Sequence, residues 1–143
     1  MPIINSVLAW IIKKRIHQIE LFLKYPNDIQ QESNRKLIAA ARNTEFGRMY
    51  DFASIQNEKE FRNRIPIQNY ETLKPYIKRL MMGETNLLWR GETKWFAKSS
   101  GTTSDKSKFI PVTTESMEEC HFKGGKDLLA IYLNNNPNSQ LFN

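Results

Sequence analysis

The stretch Lys94 to Pro111, KWFAKSSGTTSDKSKFIP, gathers five hydroxyl side chains around one glycine and follows them with two ammonium groups. The hydroxyls are Ser99, Ser100, Thr102, Thr103 and Ser104, the glycine is Gly101, and the cations are Lys106 and Lys108. Phosphate oxygens need many donors in a small space. Ser and Thr hydroxyls supply them, backbone N–H groups in a tight turn form an anion-binding concavity, and glycine lets the backbone come close. Lysine adds a mobile positive charge. The same composition also makes an ordinary polar turn, so residue types alone leave both readings open. A nucleotide loop of the G-x-x-x-x-G-K-[ST] type is excluded. The stretch holds one glycine and leads toward a strand rather than a helix N-terminus, so the helix-dipole contribution of that motif is missing.

Other chemistries fit less well. Phe96, Ala97 and Lys98 precede the serines, so the G-x-S-x-G nucleophile elbow is absent. No serine of the stretch has a lysine three residues on, and nothing in the sequence brings His121 to it as a base. Cys120 is the single cysteine and His17 and His121 the two histidines. An internal disulfide and a cysteine–histidine metal centre are therefore not expected, and no metal ligand is assigned. A reducing, cytoplasmic setting suits such a chain. The formal charge of +6, from 21 Lys and Arg against 15 Asp and Glu, suits anionic partners. Phe96 and Phe109, however, flank the stretch without the interleaved basic pattern of an RNA-stacking surface, so no nucleic-acid partner is expected. The apolar run Ile3 to Ile12 falls short of the ~20 residues a membrane span needs. Its positive cluster, Lys13-Lys14-Arg15, follows rather than precedes it, unlike a secretory signal. No membrane partner is expected.

These residues must be positioned by the elements around them. The chain is one domain by length, and 40% hydrophobic with 11% aromatic residues is a globular composition. Ile4, Val7, Leu8, Ile11, Ile12, Ile16, Ile19 and Leu23 recur at helical spacing, predicting a helix from about 4 to 24 that stops before Pro26. Asp28 with Gln31 resembles a capping box opening a second helix to about Asn43. Residues 44–51, with Gly47, read as a compact turn. Asn57 with Glu60 starts a short helix that ends near Ile65, ahead of Pro66. Pro75 suits the first turn of a further helix, which Gly83 ends in the left-handed conformation. Beyond it NLLWRGETKWFAK is β-prone, split at Arg90-Gly91, and KFIPV is a second strand candidate. The last segment is helical, with Leu128, Leu129, Tyr132 and Leu133 on a buried side. Gly124-Gly125 should interrupt it as a kink or a close backbone approach. The expected layout is a helical region over about 1–83, a β element with the hydroxyl-rich loop over about 86–113, and a helix over about 115–133. Too few strands are present for a complete sheet, so 1–143 reads as an N-terminal piece of a longer protein.

The run Ser99-Ser100-Gly101-Thr102-Thr103-Ser104, with Lys108 and Pro111, resembles the phosphate-binding loop of the acyl-adenylate-forming superfamily, which includes luciferases and acyl-CoA synthetases. The Lys-x-x-Pro ending, with TEFGRMYDF and EFRNRIPIQNYETLKPYI upstream, is most similar to the auxin-responsive family of acyl-acid amido synthetases, in a bacterial-type form. The glycine-rich continuation and Pro-Lys pair of most superfamily members are replaced here by Ser104 to Lys108. This resemblance implies an α/β fold, of which the chain is the mostly helical N-terminal portion. It further implies that ATP and a small carboxylic acid give an acyl-adenylate, from which an amine displaces AMP. Ser99, Ser100, Gly101, Thr102, Thr103 and Ser104 would bind the phosphates, Lys108 would be the catalytic cation with Lys106 as its rival, and Mg²⁺ would accompany ATP. The resemblance also implies that the rest of the adenylating domain and a C-terminal domain lie elsewhere in a longer protein, leaving the chain inactive alone. An acid–CoA ligase, and a basic helical binding module without catalysis, are the alternatives.

Overall fold

The computed structural model describes residues 2–100, 107–137 and 139. The chain forms two compact units, Met1–Ile29 with Glu115–Asn143 and Gln30–Thr114. None of the described helices is long and apolar enough to cross a membrane.

In the first unit, α1 (Pro2–Lys24) packs against α7 (Lys123–Asn135). Ile12, Ile16 and Ile19 of the apolar stripe are half-buried, whereas Ile11 and Leu23 are exposed. The side chains of Ile4, Val7 and Leu8 lie outside the described part. Arg15 grips the Asp127 carboxylate with two guanidinium nitrogens, the second at 2.7 Å, and donates to Gln18 Oε1 at 2.8 Å. The hydrogen bonds from Arg15 hold the Asp127 carboxyl below its ordinary range.

α7 departs from the sequence expectation in two ways. Ala130 is its covered residue, 1% exposed, while Leu128 is 71% exposed, Leu129 and Tyr132 are exposed and Leu133 is half-buried. Asp127 and Ala130, three residues apart, share one face. An ion pair and a small residue therefore set the rotation of the helix, not its longest apolar side chains. The helix also runs straight through Gly124-Gly125, where an added Cβ would meet nothing within 4 Å, so neither a break nor a close approach occurs there. The irregularity lies earlier, in a π-helical stretch Met117–Phe122 that follows the short α6 (Thr114–Ser116).

The helix α2 (Pro26–Ala41) begins two residues before the expected Asp28 cap. Pro26 takes the first helical position, where its missing N–H and fixed φ cost nothing. The Asp28–Gln31 box is thereby superseded.

The second unit is built on Ile38, Ala41 and Phe52, with Phe46, Tyr50, Ile55, Phe61, Ile65 and Trp89 packed around them. Each large side chain buried there contributes roughly 1.5–3 kcal/mol. Residues 44–49 form a helical turn, α3 (Glu45–Met49), capped by Thr44. The Thr44 hydroxyl accepts the Gly47 N–H at 2.9 Å and donates to the Ala41 carbonyl at 2.7 Å. Glycine is required at 47 because a Cβ would stand 2.1 Å from the Ala41 carbonyl oxygen.

The first turn of α3 is closed from far along the chain. The Glu45 and Phe46 N–H groups donate to the Asn86 and Leu87 carbonyls at 2.8 and 3.0 Å, and Leu87 is 2% exposed. The segment 86–94 is consequently a loop, although its residues are β-prone. Asn86 (φ 57°) and Gly91 (φ 77°) both adopt the left-handed region, and their mutual hydrogen bonds curl the backbone out of the extended state. Only Trp95–Lys98 of that stretch becomes a strand, β1.

Between these parts lie α4 (Glu58–Arg64) and α5 (Tyr70–Met81). Asn57 caps α4 by accepting the Glu60 N–H at 3.0 Å, and Ile65 leaves it in the extended conformation that Pro66 demands. α5 starts at a reciprocal box between Asn69 and Thr72, so Pro75 falls in the second turn rather than the first. Its ring costs the helix one N–H bond toward Glu71. Gly83 (φ 87°) closes α5, its N–H reaching the Leu80 carbonyl at 3.0 Å.

From the last turn of α5, Arg79 donates to both oxygens of Glu45, at 2.8 and 2.6 Å, and to both oxygens of Glu84. These hydrogen bonds hold the Glu45 and Glu84 carboxyls below the ordinary glutamate value of 4.5. The unfolded carboxyls titrate near that value and the folded ones below it. Their stabilisation is therefore complete above pH 4.5 and is lost as pH falls through the folded values.

The urea midpoint of the chain is expected to hold level above about pH 5 and to drop below pH 4.5. In Arg79→Met the drop should be shallower, and an identical pH profile would remove Arg79 as its cause. Gly47→Ala is expected to cost on the order of 2–4 kcal/mol in urea unfolding, because backbone rather than a flexible side chain must give way. A change below 0.5 kcal/mol would show that residues 41–47 can relax.

Candidate functional site

The hydroxyl-rich stretch is held at its two ends by a β-hairpin. β1 (Trp95–Lys98) pairs antiparallel with β2 (Phe109–Val112) in the register Trp95↔Val112, Phe96↔Pro111, Ala97↔Ile110 and Lys98↔Phe109. Pro111 is tolerated because a two-stranded ribbon has an edge on each strand, so a missing N–H need not interrupt a ladder.

The pairing continues one step past the strands. Ser99 donates its N–H to the Lys108 carbonyl at 2.9 Å, and the Lys108 N–H donates to the Ser99 hydroxyl oxygen at 3.0 Å. Ser99 and Lys108 are thus clasped together at the hairpin end by one backbone and one side-chain bond. A serine hydroxyl that accepts one hydrogen bond still carries a proton to donate. The clasp therefore fixes the position of Ser99 without exhausting it. Ser99 and Lys108 are half-buried and Ser100 is exposed.

A third residue joins the clasp from far upstream. In the Lys98↔Phe109 pair, the Phe109 N–H points away from β1 and donates to the Tyr70 hydroxyl at 3.0 Å. The Lys108 ammonium nitrogen stands 5.7 Å from the centre of the Tyr70 ring, within cation–π range. Tyr70 is the first residue of α5. No local pattern connects it with a strand 39 positions later, so sequence reasoning passed it over.

Of the residues singled out in the sequence, Ser99, Ser100 and Lys108 gather at the hairpin end. Gly101, Thr102, Thr103, Ser104 and Lys106 lie outside the described residues. Cys120 and His121 sit exposed in the π-helical stretch. Among the described residues, no group of three or more His, Cys, Asp or Glu is placed to hold a metal ion.

Comparison with known proteins bears on this arrangement. The GH3 family N-terminal domain matches residues 15–141. Jasmonoyl–L-amino acid synthetase JAR6 of Nicotiana attenuata is 31% identical over 107 residues, covering 74% of this chain and 18% of the relative. Indole-3-acetic acid-amido synthetase GH3.2 of Arabidopsis thaliana is 27% identical over 106 residues, 73% of this chain and 19% of the relative. Among solved structures, GH3.15 acyl acid amido synthetase superposes with a TM-score of 0.73 at 22% identity, covering 83% of this chain and 21% of that one. The same enzyme in complex with 2,4-DB gives 0.76, also at 22% identity, with coverage of 86% and 21%. The chain spans about a fifth of the length of these proteins. Its mostly helical architecture with one small β element is the fold of their N-terminal portion.

Removing the Ser99 hydroxyl strips the Lys108 N–H of its acceptor. Ser99→Ala should speed hydrogen exchange of the Lys108 amide by about fivefold, the loss of roughly 1 kcal/mol of local protection. Ser99→Thr, which keeps the hydroxyl, should retain it. Unchanged exchange in Ser99→Ala would show that the clasp rests on the backbone bond alone.

Proposed function

Since the chain belongs to the GH3 family, matching its N-terminal domain over residues 15–141, we propose that it supplies the phosphate-binding part of an ATP-dependent acyl-acid amido synthetase. The observation that carries this reading is the clasp. Ser99 and Lys108 close the base of a segment whose composition, Ser100-Gly101-Thr102-Thr103-Ser104, is that of a phosphate cradle. The names of the relatives, which join acids to amino acids, favour an amine over a thiol as the second substrate.

In the proposed first step, a carboxylate oxygen of the acid attacks the α-phosphorus of ATP. The bond from that phosphorus to the bridging oxygen breaks, giving acyl-adenylate and pyrophosphate. The hydroxyls of Ser99, Ser100, Thr102, Thr103 and Ser104, with N–H groups around Gly101, would donate to the β- and γ-phosphates. Negative charge grows on pyrophosphate as it leaves, and the Lys108 ammonium would offset it. A fixed cation aimed at developing charge lowers a barrier more than one that must first be ordered. In the second step the amine nitrogen attacks the acyl carbon, AMP departs with the bonding pair, and the nitrogen loses a proton to leave an amide. Mg²⁺ enters this reading as the companion of the ATP phosphates. The 143 residues would form one part of the adenylating domain, with the remainder of the enzyme completing the acid and nucleotide pockets.

In a longer protein carrying this chain, carboxylate-dependent exchange of pyrophosphate into ATP should fall on the order of 10²-fold in the Thr102→Ala, Thr103→Ala double variant. Exchange at the wild-type rate would refute the cradle. Product formation with amino acids but not with coenzyme A should follow, and the reverse preference would make the enzyme an acid–CoA ligase. The 143 residues alone should give no turnover.

A further inference from the structure

We propose that Tyr70 is a positioning residue for Lys108, holding the ammonium group in place before phosphate arrives. This rests on Lys108 being the cation that faces the leaving pyrophosphate. Two contacts from one side chain support it. The Tyr70 hydroxyl accepts the Phe109 N–H at 3.0 Å, which fixes the backbone next to Lys108. The Lys108 nitrogen stands over its ring, 5.7 Å from the ring centre, so the ring meets the far end of that side chain.

Tyr70 is itself immobilised. It opens α5 between Asn69 and Thr72, where Asn69 Oδ1 accepts the Thr72 N–H at 3.0 Å and Thr72 Oγ1 accepts the Asn69 N–H at 3.1 Å. That reciprocal box is among the strongest local determinants of a helix start, so the ring is carried on a rigid base.

The physical gain is in entropy and direction. A lysine side chain has four flexible carbons and a strongly hydrated head, and a phosphate that recruits it must pay to order it. An aromatic face attracts the ammonium electrostatically without neutralising it. The Tyr70 ring meets the ammonium, while its hydroxyl secures the strand. The ring and the hydroxyl therefore have separable roles.

The test is a cycle of variants in the longer protein, read as the KM for ATP in carboxylate-dependent pyrophosphate exchange. Tyr70→Leu should raise this KM roughly fivefold, the size expected for loss of one partly exposed cation–π contact. Tyr70→Phe, which keeps the ring, should restore it to within about twofold of wild type while speeding exchange of the Phe109 amide. In a Lys108→Ala background, Tyr70→Leu should have no further effect. Wild-type KM in Tyr70→Leu, or effects of the two changes that simply multiply, would overturn the proposal while leaving Lys108 in its role. Undiminished exchange in Lys108→Ala would instead remove Lys108 from the reaction and Tyr70 with it. Should Tyr70→Leu fail to fold, NMR of the unmodified chain decides. The Lys108 ε-methylene protons should be shifted upfield by the ring, in Tyr70→Phe as well, and unshifted positions would sink the idea.

Discussion

An isolated two-stranded ribbon is marginally stable at best in water, and that constraint shapes the surroundings of the candidate site. Each strand of the hairpin 95–112 has one partner and one open edge. On β2 the N–H of Phe109 faces that open side, and it is the Tyr70 hydroxyl of α5 that satisfies it. This bond ties the ribbon to a helix whose own start is fixed by Asn69 and Thr72. The clasp between Ser99 and Lys108 inherits its position from this anchor. Without it, the ends of the hydroxyl-rich segment would be set only by a short ladder able to slip or fray.

α5 in turn is secured at its other end. Arg79 spans Glu45 and Glu84, joining the helix to α3 and to the chain that leaves it after Gly83. The carbonyls of Asn86 and Leu87 then close the first turn of α3. That turn can lie against Ala41 only because residue 47 lacks a Cβ. A steric allowance at Gly47, a charged fork at Arg79 and an aromatic hydroxyl at Tyr70 therefore form successive links within one unit. Exposed ion pairs are individually weak. Arg79 matters because one planar fork meets two carboxylates and so fixes three segments at once.

The first unit is assembled on a different principle. α1 and α7 are tied by the Arg15–Asp127 pair, and Ala130 is buried while Leu23, Leu128 and Phe122 remain exposed. Geometry set by one bidentate pair can override the rotation that maximal burial of large side chains would choose. That is why the apolar stripe read along α7 does not coincide with its covered face.

Signals that act within three or four residues were decided by the sequence itself. Asn57 with Glu60 starts α4 and Gly83 ends α5, because a cap or a left-handed residue needs only its neighbours. Asn69 with Thr72 belongs to the same class and outweighs Pro75 as the start of α5, since two satisfied donors count for more than a preferred φ. Features that depend on a partner far along the chain were decided only by tertiary structure. The β-prone residues 86–94 became a loop because two left-handed residues and the N–H groups of α3 captured them. Tyr70 joined the hairpin end because folding brought its hydroxyl to Phe109, 39 positions on, and its ring to Lys108. Periodicity and propensity report what a segment can do with its neighbours. Which carbonyl, ring or carboxylate finally faces it is a property of the packed molecule.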